Sequence, residues 1–226
     1  TKVLVVNAQE SEAARKAGET EAFIDRLRLD GARLEKVAAA LEHVAGLPDP
    51  VAQVTDFALR PNGLRIRKMR VPLGVIAIIY ESRPAVTADA AGLCIKSGNA
   101  CLLRGGREAI RSNAAITAAL REGLVEAGLP AEAVGFLDDP DRGAVARLLT
   151  LDADIDLVIP RGGPDLTRAV RRQSAIPVLA HDKGLCHTFI DAAADLSMAE
   201  EISLNAKAQR PGVCNAMETL LVHQAV

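Results

Sequence analysis

Aromatic residues are scarce in this chain of 226 residues, which has no tryptophan, one tyrosine and four phenylalanines. Stacking on bases needs aromatic side chains, and binding to a phosphate backbone needs a basic excess. The composition and the net charge of −2 therefore argue against a nucleic-acid-binding protein. Since hydrophobic residues make up 49% of the chain, the core must be aliphatic. This length suits one large domain or two smaller ones.

Long apolar runs and paired cysteines are also lacking. No apolar stretch reaches the length of a membrane span, and the first apolar run, residues 3–6, is too short for a secretory signal. We therefore expect a cytoplasmic protein with no membrane partner. The four cysteines lie far apart, without the paired spacing of metal ligands, which predicts reduced thiols and no metal site. They are Cys94, Cys101, Cys186 and Cys214.

The chain alternates between strand and helix patterns after a helical, charged segment at residues 7–47. Residues 64–70 alternate apolar and basic side chains, which is typical of an edge strand. The apolar run VPLGVIAIIY at 71–80 indicates a strand buried on both faces. Further strands are predicted at 100–104, 134–137, 156–159, 177–179 and 186–190, and helices at 88–98, 108–127, 141–149, 165–172 and 197–208. This order predicts an α/β fold with a Rossmann-like, mostly parallel sheet and helices on both faces.

One local element occurs twice. An Arg-Gly-Gly sequence follows a predicted strand and precedes a predicted helix at Arg104-Gly105-Gly106 and again at Arg161-Gly162-Gly163. Loops after parallel strands lie at the edge of the sheet where ligands bind, and a helix N-terminus with a nearby arginine suits a phosphate. The two loops therefore predict a nucleotide site, although ordinary strand-to-helix turns would carry the same residues. The G-x-G-x-x-G fingerprint of the usual dinucleotide loop is absent.

The segment YESRP at 80–84 ends the buried strand at the same predicted edge. Polar residues in this place predict a loop that faces a cleft, which makes Ser82 and Arg83 candidate substrate-binding residues. Taken in isolation, the pattern favours residues that cap the strand and begin the next helix at Thr87.

A second candidate site is the stretch QRPGVCN, which ends with Cys214 and Asn215. The cysteine follows a Pro-Gly pair, between a polar helical pattern and an apolar run, and so we expect it on an exposed turn. Arg210 lies four residues earlier. A free thiol has a pKa of about 8.5, and a cation or a helix N-terminus beside it would favour the thiolate. The spacing alone favours an inert loop cysteine, because isolated cysteines are usually packing residues.

Four segments together resemble the γ-glutamyl phosphate reductases, also called glutamate-5-semialdehyde dehydrogenases, of the aldehyde dehydrogenase superfamily. They are VPLGVIAIIYESRP (71–84), IKSGNACLLRGGREAIRSN (95–113), VIPRGGPDLTRAVRRQSAIPV (158–178) and NAKAQRPGVCNAMETLLVH (205–223). The resemblance extends over nearly the whole chain in collinear order. The same domain also occurs in bifunctional pyrroline-carboxylate synthases.

The resemblance implies an aldehyde dehydrogenase-like fold and a reaction. In this family NADPH reduces L-glutamyl 5-phosphate to L-glutamate 5-semialdehyde with release of phosphate, the second step of proline synthesis from glutamate. Cys214 corresponds to the catalytic thiol, which forms a thioester. Asn215 and Arg210 are expected near the acyl group, and the Arg-Gly-Gly loops at 104–106 and 161–163 are expected to line the cofactor.

The chain departs from the wider superfamily in three respects. Hydrolytic members activate water with a glutamate in an ELGG motif, whereas the matching stretch VLAHDKGLCH (178–187) has no glutamate. YESRP stands where those enzymes have the Pro-Trp-Asn oxyanion donor. Family members also continue well past the cysteine. We therefore assign residues 1–204 to the NADP-binding domain and 205–226 to the beginning of a catalytic domain, and expect a homo-oligomer when complete and little activity from this chain alone.

Two alternatives stay open at this point. The chain would also suit a catalytically silent nucleotide-binding fragment, or an acylating aldehyde dehydrogenase that uses a coenzyme A thioester. The reactivity of Cys214 distinguishes the first alternative from the reductase, and a comparison of glutamyl phosphate with acyl-CoA substrates distinguishes the second.

Overall fold

The N-terminal part of the chain is helical. The structure is a computed structural model that describes residues 2–181, 184–211 and 213–226. It contains α1 (Lys2–Lys16), α2 (Glu21–Leu27) and α3 (Gly31–Gly46). The predicted helical segment at 7–47 is therefore broken twice, because Thr20 and Asp30 begin new helices. Their side chains accept hydrogen bonds from the backbone N–H groups of Phe23 and Arg33, respectively.

An antiparallel hairpin follows, formed by β1 (Val54–Leu59) and β2 (Arg65–Met69). The strand predicted at 64–70 is confirmed, and every residue of β2 is exposed. β1 was not predicted, because it too lacks a buried face and therefore shows no clear apolar period.

A parallel four-stranded sheet forms the centre of the first compact unit, in the order β5-β4-β3-β6. Its strands are β3 (Val75–Tyr80), β4 (Ala100–Arg104), β5 (Val134–Phe136) and β6 (Leu157–Arg161), and the helices that follow are α4 (Ala85–Lys96), α5 (Ile110–Glu126), α6 (Arg142–Leu148) and α7 (Pro164–Gln173). The predicted strand at 177–179 is reduced to a single parallel bridge between Val178 and Val158.

Helices cover both faces of this sheet, as predicted. Ile76, Ile78 and Tyr80 of β3 pack in one cluster with residues of α4 and α5, whereas Ala77 and Ile79 pack in another with residues of α6 and α7. Successive side chains of β3 thus point to opposite faces of the sheet, and the aliphatic core forms two layers. This confirms the α/β fold with a mostly parallel sheet.

The chain divides into two compact units, residues 1–180 and 181–226. The second contains β7 (His187–Ile190), α8 (Leu196–Ala208) and β8 (Thr219–Val222), with β7 and β8 parallel. Asp195 begins α8 by accepting a hydrogen bond from the N–H of Met198 at 3.0 Å.

The domain boundary predicted between residues 204 and 205 remains a prediction. Within the described ranges, no helix is long and apolar enough to cross a membrane.

Candidate functional site

A cavity of about 630 Å³ opens in the first unit beside the carboxyl end of β3. This is the edge of a parallel sheet at which ligands bind. Four residues predicted from the sequence line it: Ser82, Arg83, Arg104 and Gly106. Gly105 and the second diglycine sequence, 161–163, do not contribute to the described wall.

Ser82 and Gly106 meet at this cavity. A Cβ atom on Gly106 would collide with the Ser82 hydroxyl oxygen and would lie 3.1 Å from the Ser82 backbone nitrogen. Only glycine therefore allows the first diglycine loop to approach the loop after β3 this closely. The Ser82 hydroxyl also donates a hydrogen bond to Glu108 at 2.7 Å.

Glu81 makes the corresponding contact with the second diglycine loop. Its carboxylate accepts a hydrogen bond from the N–H of Gly163 at 2.8 Å, at the N-cap of α7. A Cβ on Gly162 would lie 2.7 Å from this carboxylate. The helix end that the sequence suggested for a phosphate is thus held by an internal anion, and Glu81, which sequence reasoning did not select, positions this loop.

Gly105 serves the packing beneath the cavity. A Cβ there would collide with the side-chain amide of Asn113 and lie 2.9 Å from the Tyr80 ring. Tyr80 is buried, and its hydroxyl lies 2.7 Å from the hydroxyl oxygen of Thr87, which donates to Asn113 at 3.1 Å. Burial raises the pKa of Tyr80, so this phenol stays neutral and acts as part of the floor.

Glu108 presents a carboxylate to the cavity. Burial alone would raise its pKa, but hydrogen bonds from Ser82, its own backbone N–H and Arg107, together with the Arg107 charge, hold the pKa below its ordinary value. The group is therefore an anion and a hydrogen-bond acceptor at neutral pH. A carboxylate of this kind suits the hydroxyl groups of a sugar.

Among the described residues, three arginines line the cavity, and two of them, Arg26 and Arg104, belong to separate segments of the chain. Arg104 donates a hydrogen bond to the carbonyl oxygen of Pro140 at 3.2 Å. Arg26 belongs to α2, which the sequence assigned only to a helical segment, and Phe23 of the same helix also lines the cavity. No motif marked these two residues, because only the packing of α2 brings them to the wall.

The second unit carries Cys214, and the structure places it on an exposed turn, as predicted. Two backbone hydrogen bonds of 3.2 Å close the turn. The N–H of Val213 donates to the carbonyl oxygen of Arg210, and the N–H of Ala216 donates to that of Val213. Asn215 and Arg210 are also exposed. Among the described residues, the backbone N–H groups of Cys214 and Asn215 have no partner. Gly212 of the QRPGVCN stretch lies outside the described residues.

Within the described part of the chain, no helix begins at the thiol. Cys214 comes after α8, which ends at Ala208, and is followed by β8. A helix C-terminus carries partial negative charge and does not favour a thiolate. Any stabilisation of the thiolate must come from backbone N–H groups of the turn and from nearby cations.

The other three cysteines differ from Cys214 in exposure. Cys94 and Cys101 are buried in the sheet core, and the hydrogen bond to Cys94 together with burial raises the pKa of Cys101. Cys186 is half-buried, and its thiol donates a weak hydrogen bond to the carbonyl oxygen of Cys214, with sulfur and oxygen 3.4 Å apart. In the stretch at 178–187, positions 182 and 183 lie outside the described residues.

Known proteins match nearly the whole chain. A γ-glutamyl phosphate reductase of Anaeromyxobacter sp. (strain K) is 55% identical over 223 residues, which are 99% of this chain and 52% of that protein. The protein of the same name from Geobacter metallireducens is 55% identical over 220 residues, 97% of this chain and 53% of its own length. The chain therefore spans about half the length of these relatives.

Solved structures give the same result. A γ-glutamyl phosphate reductase of Thermotoga maritima is 47% identical with a TM-score of 0.89, over 99% of this chain and 54% of that one. The Saccharomyces cerevisiae enzyme of this name is 34% identical with a TM-score of 0.72, over 99% of this chain and 56% of its own. Residues 25–226 match the model of the aldehyde dehydrogenase family. With this match over most of its length and a parallel α/β sheet, the chain belongs to the aldehyde dehydrogenase family.

Proposed function

We propose that this chain serves the NADPH-dependent reduction of L-glutamyl 5-phosphate to L-glutamate 5-semialdehyde with release of phosphate, the second step of proline synthesis from glutamate. The observation that carries the proposal is the exposed thiol of Cys214 on a turn whose neighbouring N–H groups have no partner among the described residues. The names of relatives 55% identical to the chain support the choice of substrate.

Cys214 provides the nucleophile. Its thiolate attacks the acyl carbon of the acyl phosphate, the C–O bond to phosphate breaks, and a thioester forms on the sulfur. The N–H groups of Cys214 and Asn215 are available to the oxyanion of this step, and such donors are commonly worth about 3 kcal/mol each. Arg210 and Asn215 lie beside the thiol in sequence and serve to hold the acyl group.

The cavity of the first unit fits a dinucleotide. Its volume lies within the usual range for cofactor sites, about 300–1,000 Å³. Val145, Leu149 and Leu166 offer an apolar wall to a base, and Glu108 offers an acceptor to ribose hydroxyl groups. Gly106 lets the loop that carries Ser82 approach the first diglycine loop at the cavity. NADPH, when bound, supplies the hydride that takes the thioester to the aldehyde oxidation level.

Ser82 and Arg83 line this cavity and are proposed to contact the ligand there, while Arg104, Gly105 and Gly106 shape the loop on its other side. The second diglycine loop, 161–163, is proposed to contribute through its contact with Glu81. The preference for NADP over NAD, the cytoplasmic location and a homo-oligomeric assembly of the complete protein belong to the same proposal.

Thiol labelling tests the nucleophile. In the complete gene product at neutral pH, we expect iodoacetamide to modify Cys214 first, Cys186 slowly, and the buried Cys94 and Cys101 only after unfolding. Cys214→Ser abolishes semialdehyde formation, whereas the matched variant Cys186→Ser retains it. Even labelling of all four thiols would contradict the role of Cys214.

Substrate comparison tests the reaction. Turnover is measured with glutamyl phosphate and with acyl-CoA thioesters, or in reverse from the semialdehyde, inorganic phosphate and NADP. We expect activity that depends on phosphate and not on coenzyme A. Turnover of acyl-CoA alone would make the protein an acylating aldehyde dehydrogenase, and dinucleotide binding without any turnover would make it a nucleotide-binding protein.

A further inference from the structure

The cavity of the first unit has a wall of mixed charge. Within the described part of the chain, three arginines and three carboxylates line it: Arg26, Arg83, Arg104, Glu81, Glu108 and Asp165. In such a wall, a charge already satisfied inside the protein is less free to bind a ligand. The contacts of each group therefore indicate which one remains for an incoming ion.

Five of these six groups have partners in the protein. The three carboxylates contact the N–H of Gly163 (Glu81), Ser82 and Arg107 (Glu108), and Arg168 (Asp165). Arg104 donates to the carbonyl oxygen of Pro140. Arg83 also interacts within the chain. Both signs of charge are thus largely balanced by internal contacts.

Arg26 is the exception. Its guanidinium makes no hydrogen bond or ion pair with any described residue, although it lines the cavity and is exposed to solvent. Phe23, one helical turn earlier on α2, lines the same cavity and is half-buried. Residues three apart share a helix face, so the cation and the aromatic ring are presented together.

The helix that carries Arg26 is firmly held. Ile24 and Leu27 are buried in a cluster with Ala109, which follows the first diglycine loop. At the end of α2, the side chain of Asn7 donates to the carbonyl oxygen of Leu27 at 2.9 Å. The backbone of Arg26 is therefore fixed relative to the cavity, and only its flexible side chain must be ordered on binding.

We propose that Arg26 is a ligand-binding residue that recognises an anionic group, a phosphate ester or a carboxylate, of the molecule in this cavity. A guanidinium binds such groups through two parallel hydrogen bonds and stays charged at every relevant pH. This inference rests on the proposed function, since that function supplies two anionic ligands: NADPH, with its 2′-phosphate and its diphosphate, and the acyl phosphate substrate.

The test compares Arg26→Ala and Arg26→Lys with Arg28→Ala in the complete gene product. Arg28 lies at the end of the same helix, pairs with Asp30 at 3.6 Å and does not line the cavity, so it controls for loss of a positive charge. Dissociation constants for NADPH and NADH are measured by calorimetry, and KM for glutamyl phosphate by the reductase assay. Melting temperatures show whether each variant folds.

For Arg26→Ala we expect binding of an anionic ligand to weaken at least about tenfold, because a charged hydrogen bond is lost. Arg26→Lys should have an intermediate effect, and Arg28→Ala should have none. Weaker binding of NADPH alone identifies the 2′-phosphate, equal weakening of NADPH and NADH identifies the diphosphate that both carry, and a raised KM for glutamyl phosphate alone identifies the substrate. Unchanged values for all three ligands overturn the role of Arg26 and leave the proposed function standing. A wild-type protein that binds none of them overturns both.

Discussion

Glu10 of α1 accepts a hydrogen bond from the backbone N–H of Ser112, in the first turn of α5, at 3.1 Å, and another from the Ser112 hydroxyl. The N–H of Arg111 donates to the same carboxylate at 2.8 Å. Ala109, at the N-cap position, offers no side-chain hydrogen bond. The helix after the first diglycine loop is therefore capped by a residue about a hundred positions earlier in the chain.

Glu10→Ala is expected to lower the free energy of unfolding by about 1–3 kcal/mol, because it leaves the buried N–H of Ser112 and the partly buried N–H of Arg111 without an acceptor. Urea denaturation measures the change. Glu12→Ala is the matched control, since Glu12 is exposed and its ion pairs among the described residues are with Arg15 and Lys16. It should cost less than about 1 kcal/mol. Equal costs for the two variants would show that Glu10 does not cap α5.

A pair of glycines tests the contact between the two loops at the cavity. Gly106→Ala forces a methyl group against Ser82, and we expect it to weaken dinucleotide binding more than tenfold. Gly123→Ala in α5 places the same methyl group where, apart from its chain neighbours and the helix backbone, no atom of the described residues lies within 4 Å. It should stabilise the protein by about 0.5–1 kcal/mol and leave binding unchanged.

Calorimetry with NADPH and thermal unfolding of both glycine variants check this prediction. Binding by Gly106→Ala as tight as by the wild type would mean that the approach of the two loops does not shape the dinucleotide site.

The sequence predicted the sheet well because its strands have a strong local signal. β3 is a continuous apolar run, and β4 and β6 each precede a glycine pair at which the chain turns. The exposed strand β1 and the division of the N-terminal segment into three helices were not predicted. In both cases the local pattern is weak, and capping residues or a partner strand decide the structure.

The candidate site was predicted only in part, for a related reason. Ser82, Arg104 and Cys214 stand in motifs that follow strands or turns, and their positions at a cavity or on a turn could be anticipated. Glu81 contacts a partner that is distant in sequence, and Arg26 reaches the cavity only through the packing of α2. Glu81 lies 82 residues from Gly163, and only the pairing of β3 with β6 brings them together.

Ser82→Ala is expected to raise the pKa of Glu108, because a hydrogen bond to the carboxylate is lost while its burial remains. A carboxyl whose pKa is depressed in the folded state stabilises the fold at pH values above its pKa in the unfolded chain, which is about 4.3. This contribution is lost as the pH falls through the lower pKa of the folded state. The stability difference between wild type and Ser82→Ala should therefore be constant near neutral pH and shrink in acid.

Urea denaturation at about pH 7 and about pH 3, with NMR titration of the Glu108 carboxyl, measures these effects. Ser97→Ala is the control, because the Ser97 hydroxyl donates to two backbone carbonyl oxygens, those of Leu93 and Cys94. Backbone carbonyl groups do not titrate. A Ser82→Ala difference as large in acid as at neutral pH would show that Ser82 does not stabilise the ionised form of Glu108.

Glu81→Ala and Glu81→Gln separate the position of the second diglycine loop from the charge that holds it. The alanine variant leaves the Gly163 N–H without its acceptor, and we expect dinucleotide affinity to fall about tenfold as the loop loses its fixed position. The glutamine variant keeps an acceptor oxygen and should bind nearly as the wild type does. The control Glu122→Ala, on the exposed face of α5, should leave dinucleotide affinity unchanged. Wild-type affinity of Glu81→Ala would show that Glu81 does not position this loop for the ligand.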